Sequence, residues 1–212
     1  MADNDENQLK GVYAKEVLRL VTAANDYCGF LEDKGDVKPV EFIPEMLRFS
    51  SEVYAAALHL EEFEPMLEHG NEKFVTEQDW SSVYQSVLLM LGSHNTYLRI
   101  AEDGEFDRSD LVTHTVSEDL ADVYQDLKDF TLQYRQGIEE IMNDAVYELM
   151  ENFDQFWSAK LLYAMQSLNR LYVNHIDPEN DEDEPDGDAG GNPPKYDNSL
   201  FTRLQDSNEE DI

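Results

Sequence analysis

The chain has 212 residues, of which 15 are Lys or Arg and 47 are Asp or Glu, so its formal net charge is −32. This charge argues against binding to a nucleic-acid backbone or to an anionic membrane. The single Cys28 excludes an internal disulfide framework and a multi-cysteine zinc site. No apolar run reaches the roughly 18 residues of a membrane span, and residues 1–10 do not resemble a secretion signal. We therefore expect a soluble, cytoplasmic protein.

Composition divides the chain into two parts. Residues 177–212 contain 13 acidic and 2 basic residues and very few hydrophobic ones. Such a segment cannot bury enough apolar surface to offset its conformational entropy. We therefore expect a helical domain over residues 7–176 and an acidic, largely disordered tail over residues 177–212.

The first part of the domain has a helical period. Apolar residues recur every three or four positions over residues 7–31, which predicts a first helix with Cys28 on its buried stripe. Pro39 and Pro44 mark the start of a second helix, predicted over residues 43–60, because proline is favoured in the first helical turn.

Two further helices have recognisable ends. Thr76 and Asp79 form a weak capping box that opens the third helix, and Gly92 ends it. Ser117 is the predicted N-cap of the fourth helix, which ends near Gly137.

The last helical stretch is too long for a compact body. The helical pattern of apolar residues is nearly continuous over residues 138–173, and a single helix of that length would be longer than the diameter of the domain. We therefore expect a break between residues 151 and 156. Asn152 either caps a helix at this break or makes a buried polar contact, and Trp157 is an expected core anchor. No hairpin dipeptide is flanked by alternating residues. The predicted fold is all-α, an up-and-down-like bundle of about six helices with essentially no sheet.

The sequence also resembles an uncharacterised bacterial family of all-helical domains of unknown function. The resemblance is carried by SEDLADVYQDLKDF at residues 117–130, VYAKEVLRLVTAANDYCGFLE at 12–32, LGSHNTYL at 91–98, MNDAVYE at 142–148, and the spaced Asn152, Phe153, Trp157 and Leu161. It covers residues 12–173. It implies an all-α cytosolic fold, and it brings no activity, cofactor or catalytic residue.

Carboxylates on the fifth helical stretch suggest a metal site at first sight, because Glu148, Glu151 and Asp154 are spaced by three. A helical projection instead turns Glu151 and Asp154 towards water, together with Glu140 and Asp144. No histidine follows a carboxylate at the spacing of a di-iron centre. The acidic stretches 103–107 and 181–187 lack the spacing of a calcium loop. We expect no metal, no cofactor and no catalytic residue.

Two sets of residues remain as candidates for partner binding. Asp119, Asp122, Asp126 and Asp129 project onto one outer stripe of the fourth helix, which could meet a basic surface or mimic the phosphates of a nucleic acid. Tyr196, Leu200, Phe201 and Leu204 would share one face of a short helix near the end of the tail, which could be a docking motif.

These observations favour a non-enzymatic, acidic interaction domain that binds a basic or amphipathic protein partner, rather than nucleic acid or a membrane. Two alternative functions remain: a small-molecule binder or enzyme with a pocket between helices, and a mimic of nucleic acid.

Overall fold

The structure is a computed structural model that describes residues 10–33, 35–100 and 111–180. The chain separates into two compact units, Met1–Asp181 and Glu182–Ile212. The second unit lies outside the described residues. The structure therefore does not describe the part of the tail that was predicted to be disordered, nor its predicted docking residues Tyr196, Leu200, Phe201 and Leu204. The acidic stretches 103–107 and 181–187 also lie outside the described residues.

The first unit is a helical bundle, as predicted. Its α-helices are α1 (Lys15–Glu32), α2 (Pro39–Ala57), α3 (Glu77–Leu91), α4 (Val116–Tyr134), α5 (Glu139–Asn152) and α6 (Ser158–Val173). Short 3-10 turns precede α1 at Gly11–Tyr13 and follow α3 at Gly92–Asn95. Among the described residues, no helix combines the length and the apolar character that crossing a membrane requires.

The ends of α3 are those that the sequence predicts. The backbone N–H of Thr76 donates to Asp79 Oδ2 at 2.9 Å, and the backbone N–H of Asp79 donates to Thr76 Oγ1 at 3.2 Å. Gly92 ends the helix at a φ of +52°, a conformation that favours glycine. By contrast, α2 begins at Pro39, earlier than predicted, and α1 begins at Lys15, later than predicted.

Helix α4 lies at the centre of the bundle and packs against α1, α3, α5 and α6. The predicted core residues Cys28 and Trp157 are both buried. The indole N–H of Trp157 donates to the carbonyl of Leu149 at 3.1 Å, so the polar tip of this large side chain has a partner inside the core.

The predicted break between α5 and α6 is a π-helical segment, Phe153–Trp157. A π-helix places one extra residue in a turn and rotates the face of the helix that follows. Asn152 has helical dihedral angles and caps nothing, so the capping interpretation is wrong. Its Nδ2 instead donates to Asp126 Oδ1 at 3.1 Å, which is the polar contact that the sequence left as the alternative.

A β-hairpin precedes α4 and is a small, unpredicted addition to the all-α fold, for which essentially no sheet was expected. Strands β1 (Thr96–Ile100) and β2 (Leu111–Thr115) pair in an antiparallel register. Residues 101–110 join them, so the two-residue turn signal that identifies short hairpins in a sequence does not apply.

The predicted N-cap of α4 is also wrong by two residues. Thr115 occupies that position, and its side-chain oxygen accepts from the backbone N–H of Glu118 at 3.3 Å. Ser117 is buried inside the first turn instead. Its backbone N–H donates to Asn95 Oδ1, and its hydroxyl accepts from Asn95 Nδ2, both at 2.9 Å.

Candidate functional site

The aspartates of α4 face neighbouring elements rather than water, so the predicted outer stripe is wrong. Asp119 and Asp129 are only 2% and 4% exposed, and Asp122 and Asp126 are half-buried. The physical reason is that α4 is surrounded by other helices and has no wide solvent face. A helical projection assumes such a face and places every polar residue on it.

Two of these aspartates join α4 to the hairpin, α3 and α6. The hydroxyl of Tyr97 on β1 donates to Asp119. The carboxylate of Asp122 accepts from the indole N–H of Trp80 at 2.8 Å and forms an ion pair with Lys160 of α6. Burial raises the pKa of Asp119 to about 6, although the hydrogen bond from Tyr97 partly counteracts that effect.

The other two aspartates face the opposite end of the bundle. Asp126 accepts from Asn152, and desolvation raises its pKa to about 6. Asp129 Oδ1 accepts the backbone N–H groups of Phe74 at 2.6 Å and Val75 at 2.9 Å. All four carboxylates are thus engaged within the fold and are not available as an array of phosphate mimics.

Residues 58–76, which we call the strap, connect α2 to α3 without regular secondary structure. Carboxylates of α5 hold the strap by its backbone. Asp144 accepts the N–H groups of Met66 at 2.6 Å and Leu67 at 2.8 Å. Glu148 accepts the N–H of Asn71 at 2.7 Å and pairs with Lys73.

The prediction that the acids of residues 138–173 face water is therefore wrong for Asp144 of α5, which is buried. It is correct for Glu140 and Glu151 of α5 and for Asp154 of the π-helix, which are exposed. Among the described residues, no group of three or more His, Cys, Asp or Glu side chains is arranged to hold a metal ion. Of the three carboxylates that the sequence offers as ligands, Glu148 instead binds a backbone N–H group and Lys73, while Glu151 and Asp154 are exposed.

The inner face of the hairpin forms one wall of a cleft of about 310 Å³, which we call the hairpin cleft. Its lining includes Tyr97, Arg99 and His114 from the hairpin, Asp119 from α4, and Gln155, Phe156, Ala159, Lys160 and Tyr163 from the π-helix and α6. This size is at the lower end of small-molecule sites.

Aromatic rings and cations alternate around the hairpin cleft. The Tyr97 ring lies 5.9 Å from that of His114 and 6.3 Å from that of Tyr163, centroid to centroid. The Arg99 guanidinium carbon lies 5.5 Å from the Tyr163 ring centroid, and Lys160 Nζ lies 4.5 Å from that of Phe156. These are cation–π distances.

The outer face of the hairpin is exposed and carries three large apolar side chains. Leu98, Ile100 and Leu111 are 62%, 64% and 63% exposed, respectively. Ile100 and Leu111 are directly paired across the strands, and Leu98 is two positions from Ile100, so the three side chains lie on one face. We call this set the hairpin patch.

Sequence reasoning found neither the cleft nor the patch, because both depend on the hairpin. The sequence contains two weak signals of strand. β2 reads LVTHT and is rich in the β-branched residues that favour strands. β1 reads TYLRI and alternates, with Tyr97 and Arg99 facing inward and Leu98 and Ile100 facing outward. Each signal is too short to outweigh the helical pattern around it.

Comparison with known proteins agrees with this fold. A family described as a domain of unknown function, DUF5063, matches residues 11–174. No curated protein matches the chain. The crystal structure of protein BF1032 from Bacteroides fragilis, a structural-genomics target, is similar, with 31% sequence identity and a TM-score of 0.68 over 76% of this chain and 94% of that one. The chain thus belongs to the DUF5063 family.

Proposed function

We propose that this protein is a non-enzymatic interaction domain that binds a basic, amphipathic protein partner through the hairpin patch. The observation that carries the proposal is the exposure of Leu98, Ile100 and Leu111 on one face of a two-stranded sheet. Single exposed apolar residues are ordinary on protein surfaces, whereas adjacent ones mark interaction sites.

Charge supports the choice of a basic partner. Residues 101–110 continue directly from Ile100 and lead into Leu111, and they contain five acidic residues and one basic residue. An acidic segment is thus covalently attached to two of the three patch residues, Ile100 and Leu111. The net charge of −32 would also steer a cationic partner towards the protein and would repel nucleic acid and anionic membranes.

The acids of α4 have no part in this proposal, because the fold uses them internally. The nucleic-acid mimic that would need Asp119, Asp122, Asp126 and Asp129 on the surface therefore loses its proposed contact face. The tail residues Tyr196, Leu200, Phe201 and Leu204 stay a second candidate for contacting the same partner.

We further propose that the protein works in a bacterial cytoplasm. The similar structure comes from a bacterium. The lone Cys28 is buried on α1, and a chain with one cysteine can form no internal disulfide, which suits a reducing compartment.

The proposal is tested by affinity capture from the native cytosol with matched variants. The hairpin-patch variant carries Leu98→Ser, Ile100→Ser and Leu111→Ser. The control variant carries Leu89→Ser, since Leu89 is 81% exposed on α3 and lies outside the hairpin. A basic protein should bind to the unchanged chain and to the control, and it should be lost from the hairpin-patch variant.

Purified components complete the test. The captured protein, once isolated, should bind the unchanged chain in direct titration, and the hairpin-patch variant should weaken that binding about tenfold or more. Equal binding by both variants would contradict the proposal. So would light scattering that shows the unchanged chain to be a dimer and the hairpin-patch variant a monomer, because the patch would then be a self-contact.

A further inference from the structure

A cleft of about 430 Å³ lies between the start of the strap, residues 60–64, and the last two turns of α5 with the π-helix that follows. We call it the strap cleft. It shares no lining residue with the hairpin cleft or the hairpin patch, so it is independent of the partner binding proposed above. We propose that the strap cleft is a binding site for a linear aliphatic polyamine.

The floor of the strap cleft is apolar. Leu60, Phe63 and Met150 are half-buried, packing against the core on one side and lining the cleft on the other, and Tyr147 completes the floor. A hydrated metal ion gains nothing from such a surface, whereas a chain of methylene groups buries apolar area against it. The rings of Phe63 and Tyr147 can also contact an ammonium group through their faces.

The rim of the strap cleft is acidic. It carries Glu61, Glu62 and Glu64 of the strap, Glu151 of α5 and Asp154 of the π-helix, all of them exposed. Among the residues that the structure describes, the lining includes no Lys, Arg or His. Charge complementarity therefore favours a ligand with several positive charges.

These rim carboxylates differ from the other acids discussed above. The side chains of Asp129, Asp144 and Glu148 bind backbone N–H groups and thereby hold the fold together. Within the described part of the chain, none of the five rim carboxylates forms an ion pair or accepts a hydrogen bond. Their acceptor oxygens are thus available to ammonium groups of a ligand, each of which has N–H donors of its own.

Apolar and acidic residues are arranged in sequence along one wall. Tyr147, Met150, Glu151 and Asp154 follow the spacing i, i+3, i+4 and i+7, which is one face of a helix. This face extends about 10 Å along the helix axis. An extended ligand that combines methylene segments with ammonium groups can contact both kinds of residue, as a compact cation cannot.

The opposite wall is held in place without a ligand. Asn143 Nδ2 donates to the backbone carbonyl of Glu64 at 2.7 Å, and Asp144 accepts the next two strap amides, at residues 66 and 67. The backbone N–H of Leu60 donates to the carbonyl of Ala57 at 3.1 Å. The acidic part of the strap is therefore fixed beside α5 at both ends, which lowers the entropic cost of binding.

The test compares spermidine with hexaamminecobalt(III) by isothermal titration calorimetry on the full chain at physiological salt, where diffuse attraction to the net charge is screened. Both probes carry three positive charges, and only spermidine has methylene groups. Spermidine should bind at a single site with a dissociation constant below about 1 mM, at least about fivefold more tightly than the cobalt complex.

Matched double variants separate the cleft from the overall charge. Glu151→Gln with Asp154→Asn should weaken spermidine binding about tenfold. Glu16→Gln with Asp26→Asn removes the same charges from exposed positions of α1 and should change the affinity less than about twofold. Met150→Gln keeps the charge, makes the floor more polar and should weaken binding about threefold.

Backbone amide shifts should map spermidine to residues 60–64 and 147–154, and the same spectra check that each variant is folded. The proposal is overturned if spermidine does not bind, if the cobalt complex binds as tightly as spermidine does, or if both double variants weaken binding equally.

Discussion

Removal of the Asp144 carboxylate should loosen the strap and destabilise the protein. This buried side chain accepts two backbone N–H groups, from Met66 at 2.6 Å and from Leu67 at 2.8 Å. Hydrogen bonds to a charged acceptor contribute about 1.5 to 3 kcal/mol each, so their gross loss is about 3 to 6 kcal/mol. The net cost is smaller, because the substitution also removes the desolvation penalty of a buried charge.

The expected net cost of Asp144→Ala is therefore about 2 to 4 kcal/mol of the free energy of unfolding, a large part of the stability of an ordinary domain. Urea denaturation followed by circular dichroism measures it. The matched control is Glu140→Ala, one turn earlier on α5 and exposed, which should change stability by less than about 0.5 kcal/mol. Hydrogen exchange should show faster exchange at the amides of residues 66 and 67.

The reasoning is refuted if Asp144→Ala and Glu140→Ala are equally stable. It is also refuted if the amides of residues 66 and 67 keep their protection in Asp144→Ala, because the strap would then be held by other contacts.

Three further predictions concern backbone strain, pH and packing. Gly70 has a φ of +67°, and a Cβ at this position would lie 3.0 Å from Glu148 Oε1. Gly35 has a similar φ of +52°, but a Cβ there would meet no atom within 4 Å. Gly70→Ala should therefore lower the melting temperature by more than Gly35→Ala. The pKa of Asp126 is raised to about 6, so ionisation of this carboxyl costs stability as pH rises from about 4 through 6. Asp126→Asn should therefore raise the free energy of unfolding by about 1 to 2 kcal/mol at pH 7.5 and change it little at pH 4.5, in urea titrations at both values. Trp157→Ala should cost about 3 to 5 kcal/mol in the same assay, because it empties a fully buried site and removes a hydrogen bond, and a loss under about 1 kcal/mol would count against its role as a core anchor.

The helices could be predicted from the sequence because each one buries apolar residues that recur every three or four positions. The capping box of Thr76 and Asp79 is local in sequence, so it too was correct. The existence of the helix break followed from length, since residues 138–173 would overrun a compact body as one helix. Local pattern and chain dimensions were sufficient for these features.

The site could not be read in this way because its contacts are distant in sequence. Asp129 binds backbone groups at residues 74 and 75, and Asp122 pairs with Lys160. No local pattern distinguishes such an aspartate from one that faces water. The hairpin was missed because residues 101–110 join its strands, so the short-turn signal is absent, and its two faces, which carry the cleft and the patch, were missed with it.

Site-specific photo-crosslinking tests the proposed function most directly. A photoreactive amino acid replaces Leu98 in the hairpin patch in one variant and Leu89 of α3, which is even more exposed, in the other, and both variants are irradiated in living cells. The account predicts a crosslink from position 98 to a basic protein and no corresponding crosslink from position 89. A result in which position 98 yields no partner, or only a second copy of this chain, would contradict the account.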